Sequence, residues 1–295
     1  MSDWSIHIID TPEEMTKVEH LQSLVWPGSE TEIVPAHLML TAAHNGGLVL
    51  GAYIGDELVG LLFGFPGLYD LPDGPQVKHC SHLLGVHPDY RDSGIGFALK
   101  RAQWQMVRKQ GINRITWTYD PLMSRNANLN ISRLGAVCNT YKREEYGEMR
   151  DGLNVGLPSD RFQVDWWLNT KRVERRLSRR PRGRLDLVHY EAANTQILYR
   201  VKRTPEGWDQ PSEEYDQPES SLVMIEIPSD FLSLKMADFG LARTWRVFSR
   251  QVFETCFSRG YLVTDFIFDR SGDYPRSLYV LTHGDSILDF PTIRK

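Results

Sequence analysis

Residues 83–103 read LLGVHPDYRDSGIGFALKRAQ: an apolar run, a proline, then Arg91, two small polar residues and two glycines, and from there a helical pattern. Ile95, Ala98, Leu99, Ala102 and Met106 fall on one stripe of the predicted helix, with arginine, lysine and glutamine opposite. Gly111 is placed to end it, and INRITWTY (112–119) reads as the next strand. The start of a helix leaves four backbone N–H groups without intrahelical acceptors and carries about half a positive charge. A pyrophosphate set there accepts those hydrogen bonds, and glycines let it approach the backbone. Arg91 adds a fixed charge on the same rim. Strand, glycine loop and helix in that order predict an α/β fold with an anion site at the junction.

The flanking sequence extends the pattern. SIHIID (5–10) reads as a first strand running into Thr11-Pro12-Glu13-Glu14, a capping threonine with proline at the first helical position. Leu21, Leu24 and Val25 give that helix its predicted apolar face. A second helix is expected from about 35 to 43, stopping near Asn45-Gly46-Gly47. LVLGAYIGDELVGLLFGF (48–65) predicts a hairpin turning at Gly55-Asp56, followed by a Pro/Gly-rich loop from Pro66 to Pro75. Beyond the opening stretch come a short helix over 126–134 ended by Gly135, and strands over 137–146 and 161–168. The order β-α-α-β-β-β-α-β-α-β-β over about 170 residues predicts an α/β domain around a mixed sheet.

Residues 169–184, NTKRVERRLSRRPRGR, hold eight basic residues and one acid. They read as a basic linker helix, with an anion-binding patch as the alternative. Past it, LDLVHYEA (185–192) and QILYRVKR (196–203) are expected as strands and 205–219 as a mobile acidic loop. A strand at SLVMIEIPSD, a long helix over 241–259, YLVTDFIFD and SLYVLTHG complete the second half. Strand, helix and strand there echo residues 83–119 as a second parallel βαβ unit. The echo lacks an equivalent of residues 91–96, which suggests a degenerate copy. The domain reading is thus 1–168 as one α/β unit, 169–184 as linker and 185–295 as a second, smaller α/β half.

A chain of 295 residues with 41% hydrophobic and 24% charged residues and a net charge of −4 is long enough for two cores. That charge gives no reason to expect nucleic acid or a membrane as partner. Cys80, Cys138 and Cys256 lie far apart and not at metal-ligand spacing, so reduced thiols, a cytoplasmic location and no metal are expected. MSDWSIHIID has neither the basic nor the apolar segment of a signal peptide.

Arg91-x-x-Gly94-x-Gly96, preceded by GVHPDY, resembles the acyl-CoA loop of the GNAT superfamily of N-acyltransferases. The element order matches the fold of that family over residues 1–168. TYDPL, RNANLNI, GLPSDRF and EIPSD resemble a branch of it with a C-terminal extension. A dinucleotide-binding loop fits less well, because the glycine pattern is incomplete and the loop is not a first βα turn. The resemblance implies acetyl-CoA or another acyl-CoA as co-substrate. It implies that the backbone of Leu84, Gly85 and Val86 meets the pantetheine arm. Arg91, Asp92, Ser93, Gly94, Ile95 and Gly96 would cradle the pyrophosphate. It also hints at amino acids as acceptors and succinyl as one acyl group.

Acyl transfer to an amine needs a base, because amines with pKa of roughly 8 to 10 are protonated near neutral pH. His82 shares a face with Leu84 and Val86 if the strand is regular, which makes it a candidate, with His79 as rival. Relatives carry a tyrosine acid where this chain has Ile131, so Tyr141 and Tyr146 are the candidate replacements. A thiol with pKa of about 8.5 also departs largely unaided. Asp120, Arg125 and Asn126 follow a strand at its C-terminal end, where ligands collect in open α/β sheets. Arg125 is the candidate for a substrate carboxylate and Asp120 for an ammonium. The expected function is therefore transfer of an acetyl or succinyl group to a small-molecule amine. The alternatives are a non-catalytic acyl-CoA sensor or a protein N-acetyltransferase. No nucleic acid and no membrane are expected as partners, and a homodimer is allowed for.

Overall fold

The computed structural model of the chain describes residues 4–28, 32–147, 156–178 and 183–284. It opens with strand β1 (Trp4–Ile8), helices α1 (Pro12–Val25) and α2 (Ala36–His44), and strands β2 (Leu48–Ile54), β3 (Glu57–Leu71) and β4 (Gly74–Val86). Helix α3 (Ile95–Lys109), strand β5 (Arg114–Tyr119), the short α4 (Ser124–Ala127), β6 (Val137–Lys142) and β7 (Arg161–Trp167) follow in the expected order. The second half holds α5 (Lys171–Leu177), α6 (Leu187–Ala192), β8 (Gln196–Ile197), β9 (Lys202–Arg203), β10 (Asp209–Gln210) and β11 (Leu222–Ile227). It ends with α7 (Phe231–Ala237), α8 (Phe239–Ser258), β12 (Leu262–Asp269) and β13 (Arg276–Thr282).

Eleven strands form one mixed sheet in the order β1-β2-β3-β4-β5-β7-β6-β12-β13-β11-β8. The halves meet at β6 and β12, where Cys138 pairs with Val263. Helices α3 and α8 share a core on one face, built on Leu99, Val107, Trp245 and Phe253. On the other face α1 and α2 cover the first half and α6 the second. Helix α1 starts as its sequence dictates: Thr11 accepts from the Glu14 amide and donates to the Glu14 carboxylate at 3.1 Å.

Several sequence expectations give way to tertiary context. The Pro66–Pro75 stretch is not a loop. It is the tall end of the β3–β4 hairpin, with Leu68 opposite Val77 and Tyr69 opposite Gln76. The β2 pairing of β3 ends at Gly64, so the missing N–H of Pro66 falls where no β2 partner needs it. Residues 185–192 form no strand. Asp186 and His189 make a reciprocal capping box, and the helix buries Leu187 and Tyr190 while Val188 points outward. In 196–203 only the end residues pair, and the acidic 205–219 segment is tied down by β9–β10 pairing and by a 2.9 Å bond between Tyr215 and Thr255. Leu24 is exposed, and α1 instead buries Met15, Val18, Leu21, Gln22 and Val25.

The second βαβ unit also differs from expectation. Strands β11 and β12 are not neighbours, because β13 lies between them, antiparallel to both. Over its described part the basic stretch is the expected helix, docked through Val173 and Leu177 with Lys171, Glu174 and Arg175 exposed, but two of its arginines turn inward instead of into solvent. Arg172 donates to the carbonyls of Gly135 and Thr264, and Arg176 to Ser132 O at 2.7 Å and Asp265 at 2.6 Å. The two arginines of α5 thus fasten the turn after α4 to β12, and burial lowers the Arg172 pKa to about 10. Residues 179–182 of that stretch lie outside the described residues.

Candidate active site

The site begins where two parallel strands part. Strands β4 and β5 pair only at His79–Ile115 and Cys80–Thr116. Just beyond, the β3–β4 register slips between Phe63–Leu83 and Gly64–Ser81, leaving His82 as a bulge. A bulge bends its strand, and the gap that opens holds an inner cavity of about 270 Å³ lined by residues 81–84 of β4, 117–119 of β5 and Asp120 just beyond it.

A second, outer cleft of about 370 Å³ follows β4 from Leu84 to Val86 and reaches the loop from Tyr90 to Phe97. Gly94 caps α3 with φ +89°, a conformation that a side chain would strain. The first helical hydrogen bond runs from the Ala98 amide to Gly94 O at 3.1 Å, so the amides of the first turn precede any intrahelical acceptor. A Cβ at Gly96 would meet nothing nearer than Val86 at 3.8 Å, so the helix mouth is open to a ligand. Arg91, Arg125 and Arg133 line this cleft, against Asp92 as its one carboxylate. A polyanion fits that charge and those free amides.

The two cavities share Trp26, Leu84, Met123, Asn126, Leu129 and Leu232. The inner one is walled partly by the second half, through Phe231, Leu232 and Lys235 of α7 and Arg246 of α8. Arg246, 1% exposed, forms a two-pronged ion pair with Asp120, with one arm at 2.9 Å. Burial raises the Asp120 pKa, but the attraction and hydrogen bonds of Arg246 outweigh it and leave the carboxyl below its ordinary value. The Tyr279 hydroxyl donates to Pro121 O at 2.8 Å, and Ser124 and Ser277 bond at 2.7 Å, so the second half is fixed against the site. Across the cavity Lys100, Ser81 and Gln103 form a buried polar cluster, beside His79, whose two ring nitrogens have no partner. Burial and then the nearby Lys100 lower the His79 pKa to about 4. Among the described residues no group of His, Cys, Asp and Glu has metal-binding geometry, and no helix is long and apolar enough to cross a membrane.

Residues 15–129 match the model of the acetyltransferase (GNAT) family. The chain carries a GNAT acetyltransferase domain. No curated relative matches it. Among solved structures, similarity extends to the ribosomal-protein-S18-alanine N-acetyltransferase from Escherichia coli, with 14% identity over 56% of this chain and 94% of that one, at TM-score 0.42. It extends to Arabidopsis thaliana NAA60 in complex with acetyl-CoA, with 15% identity over 56% and 99%, at 0.44. A GNAT-family acetyltransferase from Streptococcus pneumoniae has 13% identity over 55% and 97%, at 0.42. A GNAT acetyltransferase takes acetyl-CoA as co-substrate and transfers its acyl group to nitrogen.

Within this GNAT domain, Leu84–Val86 and Arg91–Gly96 come together along the outer cleft, and Asn126 stands where the two cavities join. The bulge overturns the regular-strand premise for His82, although the residue still lines the inner cavity. Its ring packs 6.0 Å from those of Phe63 and Phe65, on the α1 and α2 face, while Leu84 packs on the α3 face. Desolvation lowers its pKa. Tyr141 lies outside both cavities, donating to Asp160 at 2.8 Å, with its pKa raised by burial and by that carboxylate. Asp160 in turn pairs with Arg250 at 2.7 Å, and its backbone carbonyl accepts from Arg161 Nη1 at 2.9 Å. Tyr146 sits at the rim, bonded to Thr118 at 2.6 Å. Asp120 is held by Arg246, so it is not an open ammonium acceptor. Arg125 pairs with Asp92 at 3.0 Å in the outer cleft, away from the inner cavity.

Four functional candidates escaped the sequence reading: Ser81, Lys100, Arg133 and Arg246. Lys100 and Gln103 were assigned to the solvent face of α3. The true buried row is Ile95, Leu99, Gln103 and Val107, with Lys100 beside it. Their spacing of four along the helix was the available signal.

Proposed function

We propose that the chain moves the acyl group of acetyl-CoA, or of a short dicarboxylic acyl-CoA such as succinyl-CoA, to the amine of a small metabolite that carries a carboxylate, an amino acid being the simplest case. The inner cavity carries this reading. At about 270 Å³ it suits a small molecule rather than a folded segment. Arg161 and Lys235 are among its lining residues, and Asp120, its one carboxylate among the described residues, is neutralised by Arg246. A carboxylate entering this space gains charge-assisted hydrogen bonds. In the same reading Leu84–Val86 meet the pantetheine arm and Arg91–Gly96 the pyrophosphate, so that the acyl end points across Asn126 into the inner cavity. Residues 1–168 then supply the donor cleft, and 185–295 supply the acceptor wall through α7 and α8.

The direct trial follows thiol release from acetyl-CoA and succinyl-CoA in the presence of the proteinogenic amino acids, simple amines lacking a carboxylate, and an unstructured peptide with a free N-terminus. Free amino acids are expected to exceed decarboxylated analogues by at least about tenfold in kcat/KM, the equivalent of about 1.4 kcal/mol for one charge-assisted pair. A peptide acylated faster than every amino acid would overturn the small-acceptor reading.

A further inference from the structure

We propose that Lys100 is the group that removes the proton from the incoming amine, its nitrogen held in place by Ser81 and Gln103. This rests on the reading of the two cavities given above. Lys100 enters from α3 at the level where β4 and β5 part, and its side chain lines the inner cavity. Its Nζ donates to Ser81 Oγ at 2.8 Å and to Gln103 Oε1 at 3.1 Å, and stands 3.7 Å from the centre of the Trp117 ring. The Ser81 hydroxyl donates to the same glutamine oxygen at 3.2 Å, so it accepts from Lys100 rather than competing for its lone pair. Two donated hydrogens use both N–H bonds of a neutral amine and leave its lone pair for a third partner.

Lys100 is 1% exposed, and no carboxylate lies within ion-pair distance among the described residues. An ammonium buried without counter-charge is disfavoured, and the Lys100 pKa falls well below the ordinary lysine value. The Trp117 face offsets part of that penalty. The other charged groups around the cavity, among the described residues, are Asp120 just after β5, Arg161 from β7, Lys235 from α7 and Arg246 from α8. Asp120 is paired with Arg246, so it is not a free counter-charge for Lys100. His79 and His82 from β4 have lowered pKa values and stay uncharged near neutral pH.

The step balances as follows. The substrate ammonium gives one proton to Lys100 Nζ. The freed nitrogen lone pair forms the C–N bond to the thioester carbonyl carbon, and the C–S bond breaks. The second proton of the nitrogen passes to the departing sulfur, and Lys100 releases its own proton to water before the next turnover. One ammonium and one thioester give one amide, one thiol and one proton.

Two variants and one spectrum test this. Lys100→Met and Lys100→Arg are both expected to lower kcat about a hundredfold to ten-thousandfold at neutral pH with the KM for acetyl-CoA unchanged, the usual contribution of a general base. In both, the rate should climb with pH until the substrate amine loses its own proton, whereas the native enzyme levels off earlier. Lys100→Arg keeps the hydrogen-bond donors but not the lone pair, so activity within threefold of native in that variant overturns the proposal even if the methionine variant misfolds. Acetylation of Lys100 itself on incubation with acetyl-CoA alone, read by mass spectrometry, would also overturn it. The spectrum needs no acceptor: in protein labelled at lysine Cε, one resonance should titrate well below the others and vanish in Lys100→Arg. A Lys100 that titrates with the surface lysines sinks the inference while leaving the acyl-transfer reading intact. Silence across all acceptors with a low-titrating Lys100 sinks the acyl-transfer reading instead.

Discussion

Two strand-to-helix junctions in this chain start alike and finish differently. After β4 the chain makes a glycine-capped helix whose first amides stay open beside Arg91. After β11 it places Asp230 and Asp238 at the starts of α7 and α8, and their side chains accept from the amides of Ser233 at 3.1 Å and Leu241 at 2.8 Å. The second junction fills with its own carboxylates the position that an anion would take. The sheets behind the junctions differ in the same sense. Beyond two paired residues β4 and β5 diverge into a cavity, whereas β13 fills the space between β11 and β12 along their whole length. Buried polar groups follow suit. Lys100 has no carboxylate partner among the described residues and the ring nitrogens of His79 have no hydrogen bond, while Glu226 pairs with Arg276 and Asp265 with Arg176. A cavity on this scaffold is made by what is left unsatisfied; the satisfied half serves as wall.

The largest effect should come from breaking the contact that joins wall to site. Arg246→Leu leaves the Asp120 carboxylate buried and uncompensated, which costs on the order of 3–5 kcal/mol of stability at neutral pH. The pH dependence has a definite sign. The folded-state pKa of Asp120 lies below its unfolded value of 3.8, so its contribution is present above that value and is lost as pH falls through the lower folded pKa. Chemical denaturation across the acid range should show that limb in the native chain and lose it in Arg246→Leu. A variant that unfolds with native midpoint and native acid limb would show that the two halves are not coupled through this pair. Next in size, Gly96→Asp sets a carboxylate at the open mouth of α3, imitating the second junction. The Cβ finds room there, so the fold should survive. Affinity for CoA should fall about a hundredfold, the equivalent of about 2.7 kcal/mol, by calorimetry. Undiminished CoA affinity would place the diphosphate elsewhere.

How much of this was legible beforehand follows from which forces acted locally. The opening stretch announced itself because its loop, helix start and flanking strand are each written in consecutive residues: Gly94 needs its positive φ, and Thr11 caps its own helix. The inner cavity was legible only in part: Asp120 and Asn126 do line it, but its other polar residues arrive from β4, α3, β7, α7 and α8. Nothing near Asp120 in sequence points to Arg246, and nothing near Ser81 points to Lys100. Polarity itself misled. Lys100 and Gln103 were read as solvent-facing, since a lone buried lysine is costly and therefore rare. The His82 bulge was hidden too, because one extra residue in a strand changes the face without changing the composition. Pro66 misled in the opposite direction: it reads as a loop unless the end of the neighbouring β2 strand is known.

The smallest effect probes the filled junction. Asp230→Ala removes the side-chain acceptor of the Ser233 amide and of the Ser233 hydroxyl, the latter at 2.6 Å. A lost helix cap of this kind costs about 1 kcal/mol, within a range of roughly 0.5–2. Helix α7 carries Leu232 and Lys235 into the acceptor cavity, so loosening its first turn should raise the KM of the amine more than that of acetyl-CoA. Removing the carboxylate should not turn the second junction into a nucleotide site, because it has neither an arginine rim like that of Arg91 nor a gap between its strands. Calorimetry should therefore still give one equivalent of CoA per chain in Asp230→Ala. A second equivalent would mean that the capping aspartate alone separates site from wall, and that the glycine loop and the parted strands matter less than the contrast between the halves implies.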